Sequence, residues 1–390
     1  MKILTIICFL SLILSGCREP FEIDSISFEQ ILVVEGQLTN ETKNHKVTLS
    51  FTYPIDSVTL IPESGAQISI LDGSGQEFTF TETSIPGTYE SIPFAGVTGQ
   101  SYTLYILTRD GEQFQSGTVI QKPVAPIDTM IARFIRNDQD FDGVQVYVSS
   151  YTNDKQISKY YRWEWVETYE IRAQWPSQYI WVGGNDAELR TESVGNCYAT
   201  SRSNNINVRS TDGLSENRID LFPLSFVPNG STKLRSKYSL EARQYSLDNA
   251  SFTYWKTLRD VLSKQGSLAD VQPGNLSGNI FNENGARVLG YFDASDVARY
   301  RIFIEPSQFR DDGFVVNSQL FACSEIRVTL DGLGSYMSQY NGTHVIYIDA
   351  DPVAPDPNGE GGLPAGWLIV PKNCGDCTAS GTNVRPSFWE

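Results

Sequence analysis

Histidine is scarce in this chain, with only His45 and His344 among its 390 residues. Two histidines leave little scope for a mechanism that uses a histidine base. They also leave little scope for a metal site with two or three histidine ligands. Each histidine stands at the start of a strand-like run, in KNHKVTLS and in NGTHVIYIDA. We expect both to lie at strand edges rather than to act in catalysis.

Positive charge is also in deficit, since 30 lysines and arginines face 46 aspartates and glutamates, for a formal net charge of −16. Nucleic-acid binding needs clustered cations that contact phosphates, so we expect no nucleic-acid partner. An acidic surface keeps a protein soluble and repels anionic lipid headgroups. This charge is compatible with divalent cations but indicates no particular substrate.

Catalytic and nucleotide-binding motifs are missing, because the sequence contains no GxSxG, no HExxH, no P-loop and no GxGxxG followed by a helix. We therefore expect no catalytic residue, and no cofactor apart from the calcium considered below. Paired carboxylates can hydrolyse glycosides, so a carboxylate-based glycoside hydrolase is the enzymatic alternative. Its candidate acids lie in the segment YIDADPVAPDPNGE and are Asp349, Asp351, Asp356 and Glu360.

No apolar run is long enough to cross a bilayer as a helix, which takes about 20 residues. The longest run, residues 3–14, has the length of a signal-peptide core and leads into Leu14-Ser15-Gly16-Cys17, which resembles the bacterial lipobox. In proteins that match this motif, the cysteine is acylated and the chain is cut before it. We therefore predict a lipoprotein signal peptide over 1–16, a lipidated Cys17, and a tether over 17–30 that reaches the membrane through the lipid anchor. Arg18 is not the aspartate that retains some lipoproteins in the inner membrane, so we expect the protein to be anchored in the outer membrane. Its body can face either the periplasm or the cell exterior.

Four cysteines remain beyond Cys17, namely Cys197, Cys323, Cys374 and Cys377. An even number in an exported protein favours two disulfides, for which three connectivities exist. The CxxC pair lies in a tail rich in Gly, Ser and Thr, without the second close pair of a zinc site or the helix start of a thioredoxin-like site. We expect structural disulfides in which a tail cysteine reaches back to Cys197 or Cys323, and a redox or metal role is the alternative.

Alternating apolar and polar residues dominate the sequence and predict a mainly β protein. Short strand-like runs with hairpin turns at Asp72-Gly73 and Asp110-Gly111 predict an N-terminal immunoglobulin-like β-sandwich over residues 31–122. The proline-containing segment 123–128 is predicted to be an extended linker. A larger β-rich domain with one packing helix is predicted over 129–390.

The packing helix is predicted near residues 249–265, where the apolar period changes from two to about 3.6 residues. Asp248 is a candidate N-cap, and Gly266 a natural stop. Four apolar side chains fall on one face of this helix: Phe252, Trp255, Leu258 and Leu262.

The acidic turn DQDFDG is the most specific local pattern. It places Asp138, Asp140 and Asp142 at alternate positions before Gly143, as in the first half of a calcium loop. The twelfth position is Ser149, where a calcium loop has a bidentate glutamate. We treat calcium as a candidate ligand and a solvated acidic turn as the alternative.

Aromatic side chains are dense between residues 160 and 181. In the strand YYRWEWV, the rings of Tyr161, Trp163 and Trp165 share one face and are expected in the core. Trp175, Tyr179 and Trp181 are harder to bury, so we consider them a candidate ligand-binding cluster.

Five segments together resemble the domain of unknown function 4249 family, in the same order along the chain. They are ILVVEGQLTNE, YRWEWVETYEI, NCYATSRSNNINV, NLSGNIFNENGARVLGYFDAS and CGDCTASGTNVRPSFW. The resemblance implies a bacterial outer-membrane lipoprotein encoded beside TonB-dependent receptors. It brings no catalytic residue, since none is established for the family.

We therefore expect a non-catalytic binding or accessory lipoprotein of a TonB-dependent uptake system, with such a receptor as its partner and its oligomeric state open. The glycoside hydrolase and an adhesion or envelope-structural protein are the alternatives.

Overall fold

The computed structural model describes residues 30–52, 60–264, 276–316, 323–340, 342–350 and 365–389. It is mostly β, with 50% strand and 13% helix, which confirms the predicted fold class. Residues 1–29, including the predicted signal peptide, Cys17 and nearly all of the predicted tether, lie outside the described ranges. Within these ranges, no helix combines the length and hydrophobicity needed to cross a membrane.

Strands make up most of the regular structure. In chain order they are β1 (Leu32–Thr39), β2 (Lys46–Phe51), β3 (Ile61–Pro62), β4 (Gln67–Asp72), β5 (Glu77–Glu82), β6 (Thr88–Ser91), β7 (Ser101–Leu107), β8 (Gln113–Ser116), β9 (Val119–Ile120), β10 (Ile127–Arg136), β11 (Asp142–Thr152), β12 (Tyr160–Arg172), β13 (Tyr179–Gly183), β14 (Asp186–Leu189), β15 (Asn196–Arg202), β16 (Asn207–Ser210), β17 (Asn217–Pro228), β18 (Tyr238–Leu247), β19 (Ile280–Asn282), β20 (Val288–Ser295), β21 (Val297–Ile304), β22 (Ile326–Thr329), β23 (His344–Ala350) and β24 (Gly366–Pro371). The helices are α1 (Asn249–Lys264), α2 (Leu333–Tyr340) and α3 (Lys372–Gly375), with 3-10 turns at Thr232–Leu234, Pro306–Phe309, Leu330–Gly332 and Cys377–Ala379.

One eleven-stranded sheet, which we call the first β-unit, combines β1–β9 with β19 and β20. Its strand order is β19-β8-β7-β4-β5-β6-β2-β1-β20, with β3 paired to β2 and β9 to β7. The hairpins predicted at Asp72-Gly73 and Asp110-Gly111 are confirmed as the β4–β5 and β7–β8 connections. Val34 and Leu104 come from distant strands of this order, and both are fully buried in one shared core. The immunoglobulin-like character of this region stays a prediction.

The first β-unit includes strands that the predicted range 31–122 leaves out. β20 pairs in parallel with β1, and Gly290 lies opposite Val34. A Cβ atom on Gly290 would stand 1.9 Å from the Val34 carbonyl oxygen, so only glycine allows this approach. The Asn279 side chain bonds to both the backbone N–H (2.8 Å) and the carbonyl (2.9 Å) of Phe292, which holds the segment in place. The glycine-containing segment 278–292 therefore serves to pair β20 with β1.

Two further sheets face each other and form what we call the second β-unit. The sheet β10-β11-β17 packs against β15-β12-β18-β21, with β16 also paired to β12. Tyr161 and Trp163 of β12 are buried in the core between them, which confirms their predicted packing role. Trp163 Nε1 donates to Gln244 Oε1 (2.8 Å), and Gln244 Nε2 donates to the Ala125 carbonyl (2.7 Å), so the polar atoms in this core are paired.

Helix α1 connects the first and second β-units. Its predicted N-cap is confirmed, because Asp248 Oδ1 accepts the N–H of Ser251 at 2.7 Å. Ser251 Oγ and Trp255 Nε1 both donate to the buried carboxylate of Asp293 in β20. The predicted apolar face was wrong at Leu262, which is 51% exposed, because the helix packs through its first two turns.

A small five-stranded sheet, ordered β14-β13-β23-β24-β22, carries α2 on one face. Leu333 and Met337 of α2 pack against Ile346 and Ile369 of the sheet. We call this sheet, α2, α3 and the 3-10 turn Cys377–Ala379 the cystine-tied unit, because each of two disulfides has at least one cysteine in it or next to it.

Candidate functional site

A groove of about 620 Å³ lies between the second β-unit and the C-terminal tail. This volume falls in the range of small-molecule sites, roughly 300–1,000 Å³. Its walls come from five separate parts of the chain. The lining residues are Glu170, Arg172, Tyr198, Arg235, Ser236, Lys237, Glu305, Pro306, Ser307, Arg310, Phe314, Val316, Arg385 and Trp389.

The tail wall of this groove is held by a disulfide and a β-bridge. Cys377 bonds to Cys197 of β15 across 180 residues of sequence. Next to it, the Tyr198 N–H donates to the Thr382 carbonyl (2.8 Å), and the Thr382 N–H donates to the Tyr198 carbonyl (3.0 Å). The buried Trp389 then packs edge-on against Tyr198, with 5.0 Å between ring centroids. The tail is therefore positioned by covalent, hydrogen-bond and aromatic contacts.

The groove reverses the charge balance of the chain, since five of its lining residues are basic and two are acidic. Glu170 is already engaged, because its Oε2 accepts from Arg172 (2.8 Å) and from Ser236 Oγ (2.5 Å). Among the described residues, the guanidinium groups of Arg235, Arg310 and Arg385 have no carboxylate at ion-pairing distance. Within the described ranges, three cations therefore line the groove without a carboxylate partner.

A second cavity of about 540 Å³ on the second β-unit contains Glu167. Burial alone would raise the pKa of Glu167, but donors from Lys233, Ser201 and Tyr238 lower it below the ordinary value. The Tyr238 hydroxyl donates at 2.7 Å and the Ser201 hydroxyl at 2.5 Å. A general acid in glycoside hydrolysis needs a raised pKa, so Glu167 is unsuited to that role.

Two carboxylates of the predicted calcium site already have a partner in the structure, and a calcium role for this turn stays a prediction. Arg136 Nε donates to Asp142 Oδ1 at 2.9 Å, and Arg136 Nη1 donates to Asp140 Oδ1 at 3.2 Å. The bond to Arg136 also lowers the pKa of Asp142. Asp138 precedes them in an exposed β10–β11 turn closed by Asn137, whose Oδ1 accepts two backbone N–H groups. Within the described ranges, no three acidic, histidine or cysteine side chains form a group that could hold a metal ion.

The three candidate ligand-binding aromatics do not form one exposed platform. Trp175 packs beside Tyr347, with 6.4 Å between ring centroids. Tyr179 and Trp181 pack instead against the α2 core, and Trp181 Nε1 donates to the Gly184 carbonyl (2.8 Å). Both border a cavity of only about 180 Å³. The structure gives all three rings packing contacts, and their ligand-binding role stays a prediction.

Two structural disulfides are confirmed, Cys197–Cys377 and Cys323–Cys374. Each tail cysteine reaches back to a distant partner, so the two cysteines of the CxxC pair belong to different bridges. The Cα–Cα distances are 5.5 and 5.9 Å, within the usual disulfide range.

Both histidines have structural surroundings. His45, immediately before β2, is buried, and its Nε2 lies 2.9 Å from the Phe94 carbonyl oxygen. Burial lowers the pKa of His45 to about 4. His344 begins β23, and its Nδ1 lies 3.0 Å from Thr343 Oγ1. Burial lowers the pKa of His344 as well.

The acidic segment considered for glycoside hydrolysis cannot be placed. Asp351, Asp356 and Glu360, and the side chain of Asp349, lie outside the described residues.

Sequence reasoning missed the groove altogether. Arg235, Arg310 and Arg385 are far apart along the chain and belong to no motif. Only the folded arrangement brings them to one cavity.

Comparison with known proteins identifies a family and gives weak matches to solved structures. No curated protein matches the chain. A crystal structure of a DUF4785 family protein from Legionella pneumophila is 9% identical, with a TM-score of 0.18, covering 55% of this chain and 52% of that one. A two-domain fibronectin type-III segment from chicken tenascin is 13% identical, with a TM-score of 0.14, covering 57% of this chain and 93% of that one. The first of these matches therefore spans about half the length of the Legionella protein.

A family model matches residues 18–301, which is most of the chain. That range contains the first β-unit, α1 and the second β-unit up to the middle of β21, while the tail wall of the groove lies beyond it. On this match, the protein belongs to the family described as Domain of unknown function (DUF4249).

Proposed function

We propose that this protein is a lipid-anchored binding or accessory component of an outer-membrane, TonB-dependent uptake system. The groove carries the binding part of the proposal, because it has the volume of a ligand site and three basic side chains with no carboxylate partner in the described part of the chain. The apolar run that leads into Leu14-Ser15-Gly16-Cys17 supports the anchor. The resemblance of the sequence to lipoproteins encoded beside TonB-dependent receptors supports the partner.

Binding is favoured over glycoside hydrolysis by the state of the described carboxylates near the cavities. Glu167 and Glu170 each accept from more than one donor, so neither is presented as a free acid or nucleophile. Glu305, at the groove, is exposed and precedes the Pro306–Phe309 turn. A groove of about 620 Å³ also favours ligand capture over the flat contact surface expected of an adhesion protein.

The anchor and the partner are tested together in the native host. The tagged full-length protein is labelled with an acyl probe, extracted in mild detergent and affinity-purified beside a Cys17→Ala variant. We expect the unaltered protein to carry the label and to co-purify a TonB-dependent receptor, and the variant to lack the label. An unlabelled, freely soluble protein would refute the anchor. A labelled protein that brings down no receptor, together with normal nutrient uptake in a deletion strain, would refute the accessory role.

A further inference from the structure

The groove concentrates cations in a protein that is otherwise strongly acidic. The chain as a whole carries 30 basic and 46 acidic residues, yet the groove has five basic and two acidic ones. Unscreened like charges that share a cavity repel one another. A cavity lined by one sign of charge attracts ligands of the opposite sign and raises their local concentration.

The three arginines that have no carboxylate partner among the described residues come from separate segments. Arg235 follows the 3-10 turn Thr232–Leu234, Arg310 follows the turn Pro306–Phe309, and Arg385 lies in the disulfide-held tail. A ligand that pairs with more than one of these guanidinium groups is best matched by more than one negative group. Arg172 differs from them, because Glu170 already engages it at 2.8 Å.

The guanidinium group selects the chemistry of the ligand. Its planar fork matches carboxylate and phosphate oxygens in pairs, and such charge-assisted bonds are stronger than bonds between neutral groups. A neutral sugar would leave the three cations unmatched. The side chains of Phe314, Val316 and Trp389 supply apolar surface for the carbon skeleton of a ligand.

We propose that the groove binds a small soluble polyanion, a molecule that carries at least two carboxylate or phosphate groups. This inference rests on the proposed binding function, since it names the ligand class of the same groove.

The test measures binding to the full-length protein in a neutral detergent by isothermal titration calorimetry. The probes are trigalacturonate and citrate as polycarboxylates, inorganic tripolyphosphate as a polyphosphate, and maltotriose as a neutral sugar. We expect at least one polyanion to bind, with an affinity that falls as salt rises, and no binding of maltotriose. The preferred probe distinguishes a carboxylate ligand from a phosphate ligand.

Matched variants locate the site. Arg310 and Arg385 are exposed, so Arg310→Gln and Arg385→Gln should fold normally. We expect each variant to weaken binding about tenfold or more, and the double variant about a hundredfold. Arg209→Gln removes an exposed arginine of β16 outside the groove and should leave the affinity unchanged.

Three results would overturn the proposal: maltotriose binding as tightly as the polyanions, equal affinity in the groove variants and the unaltered protein, or no binding of any polyanion. The proposed function fails on different grounds. If the double variant still co-purifies a receptor while polyanion binding is absent from the unaltered protein, the ligand class is wrong and the accessory role stands. If polyanions bind but no receptor is recovered, the ligand class stands and the accessory role is wrong.

Discussion

The first β-unit and the cystine-tied unit are held together in different ways. The first has a core of seventeen buried side chains, drawn from strands at both ends of its sheet, and contains no disulfide. The cystine-tied unit has two small clusters of four and three buried residues, and both disulfides lie in or next to it.

This difference shows how one chain stabilises sheets of unequal size. A small sheet buries too little apolar surface to offset the entropy of ordering its backbone, so exported proteins often add covalent links. In this protein the Cys197–Cys377 link also fastens the tail wall of the groove to β15. The candidate site therefore depends on the region with the smaller core.

The largest effect is expected in the core of the first β-unit. Phe292 of β20 is fully buried, and its ring lies against the backbone of Gly36 in β1. Phe292→Ala should lower the free energy of unfolding by about 4 kcal/mol, because it removes a buried ring and leaves a cavity. Urea denaturation measures the loss, and limited proteolysis should show cleavage in the first β-unit with the cystine-tied unit intact.

Phe281→Ala is the matched control, since Phe281 lies in β19 and is 46% exposed. Its effect should stay within about 0.5 kcal/mol. Equal losses for both variants would contradict the division between a buried core and an exposed face.

The second prediction removes a covalent link. The Cys197→Ala/Cys377→Ala variant should destabilise the cystine-tied unit by about 3 kcal/mol, because the unfolded chain is no longer closed into a long loop. Trypsin digestion with mass spectrometry should show early cleavage after Lys372, while the first β-unit resists.

The second disulfide provides the control for that experiment. Cys323 and Cys374 are 51 residues apart, against 180 for Cys197 and Cys377. In the chain-entropy account, the shorter loop contributes about 1 kcal/mol less. If neither disulfide affected the small unit, its stability would have to come from packing.

The third prediction concerns acid. Folded His45 takes up a proton only near its lowered pKa of about 4, whereas the unfolded chain does so near 6.5. The unfolded state therefore binds more protons between these values, and the stability of the first β-unit should fall as the pH falls from about 6.5 to about 4, by roughly 2 kcal/mol. Urea titrations across this range measure the slope.

His45→Gln should remove this part of the pH dependence. His344→Gln, in the cystine-tied unit, should change the slope less, because His344 is only half-buried whereas His45 is buried. A larger change for His344→Gln would reverse the comparison between the two units.

The smallest effect is expected at the helix that joins the first and second β-units. Asp248→Ala removes the acceptor of the Ser251 N–H and should destabilise α1 by about 1 kcal/mol. Hydrogen exchange of the first turn of α1 reports the change. Asp260→Ala, which removes an exposed i,i+4 pair with Lys256, should change stability by about 0.5 kcal/mol or less.

Much of the local structure could be predicted because it depends on neighbouring residues. Alternation predicted the strands β4 and β7, aspartate-glycine turns predicted two hairpins, and Asp248 marked the start of α1. The predicted helix face failed at Leu262, because which helix positions are covered depends on the sheets that approach it.

Long-range pairing could not be predicted from these patterns. β1 and β20 are separated by about 250 residues and pair in parallel, a contact with no signature in either strand alone. The predicted range 31–122 therefore omitted two strands of the first β-unit. The groove was missed for the same reason, since its arginines are isolated in sequence.

The sequence by itself determined the β-rich character, the hairpin turns, the helix start and the expectation of two disulfides, because each follows from residue types within a few positions or from cysteine number. Only the tertiary structure decided the disulfide partners, the late strands of the first β-unit, the pairing of Arg136 with the predicted calcium ligands, and the basic groove. These depend on which distant segments share a core, and that is set by the packing of the whole chain.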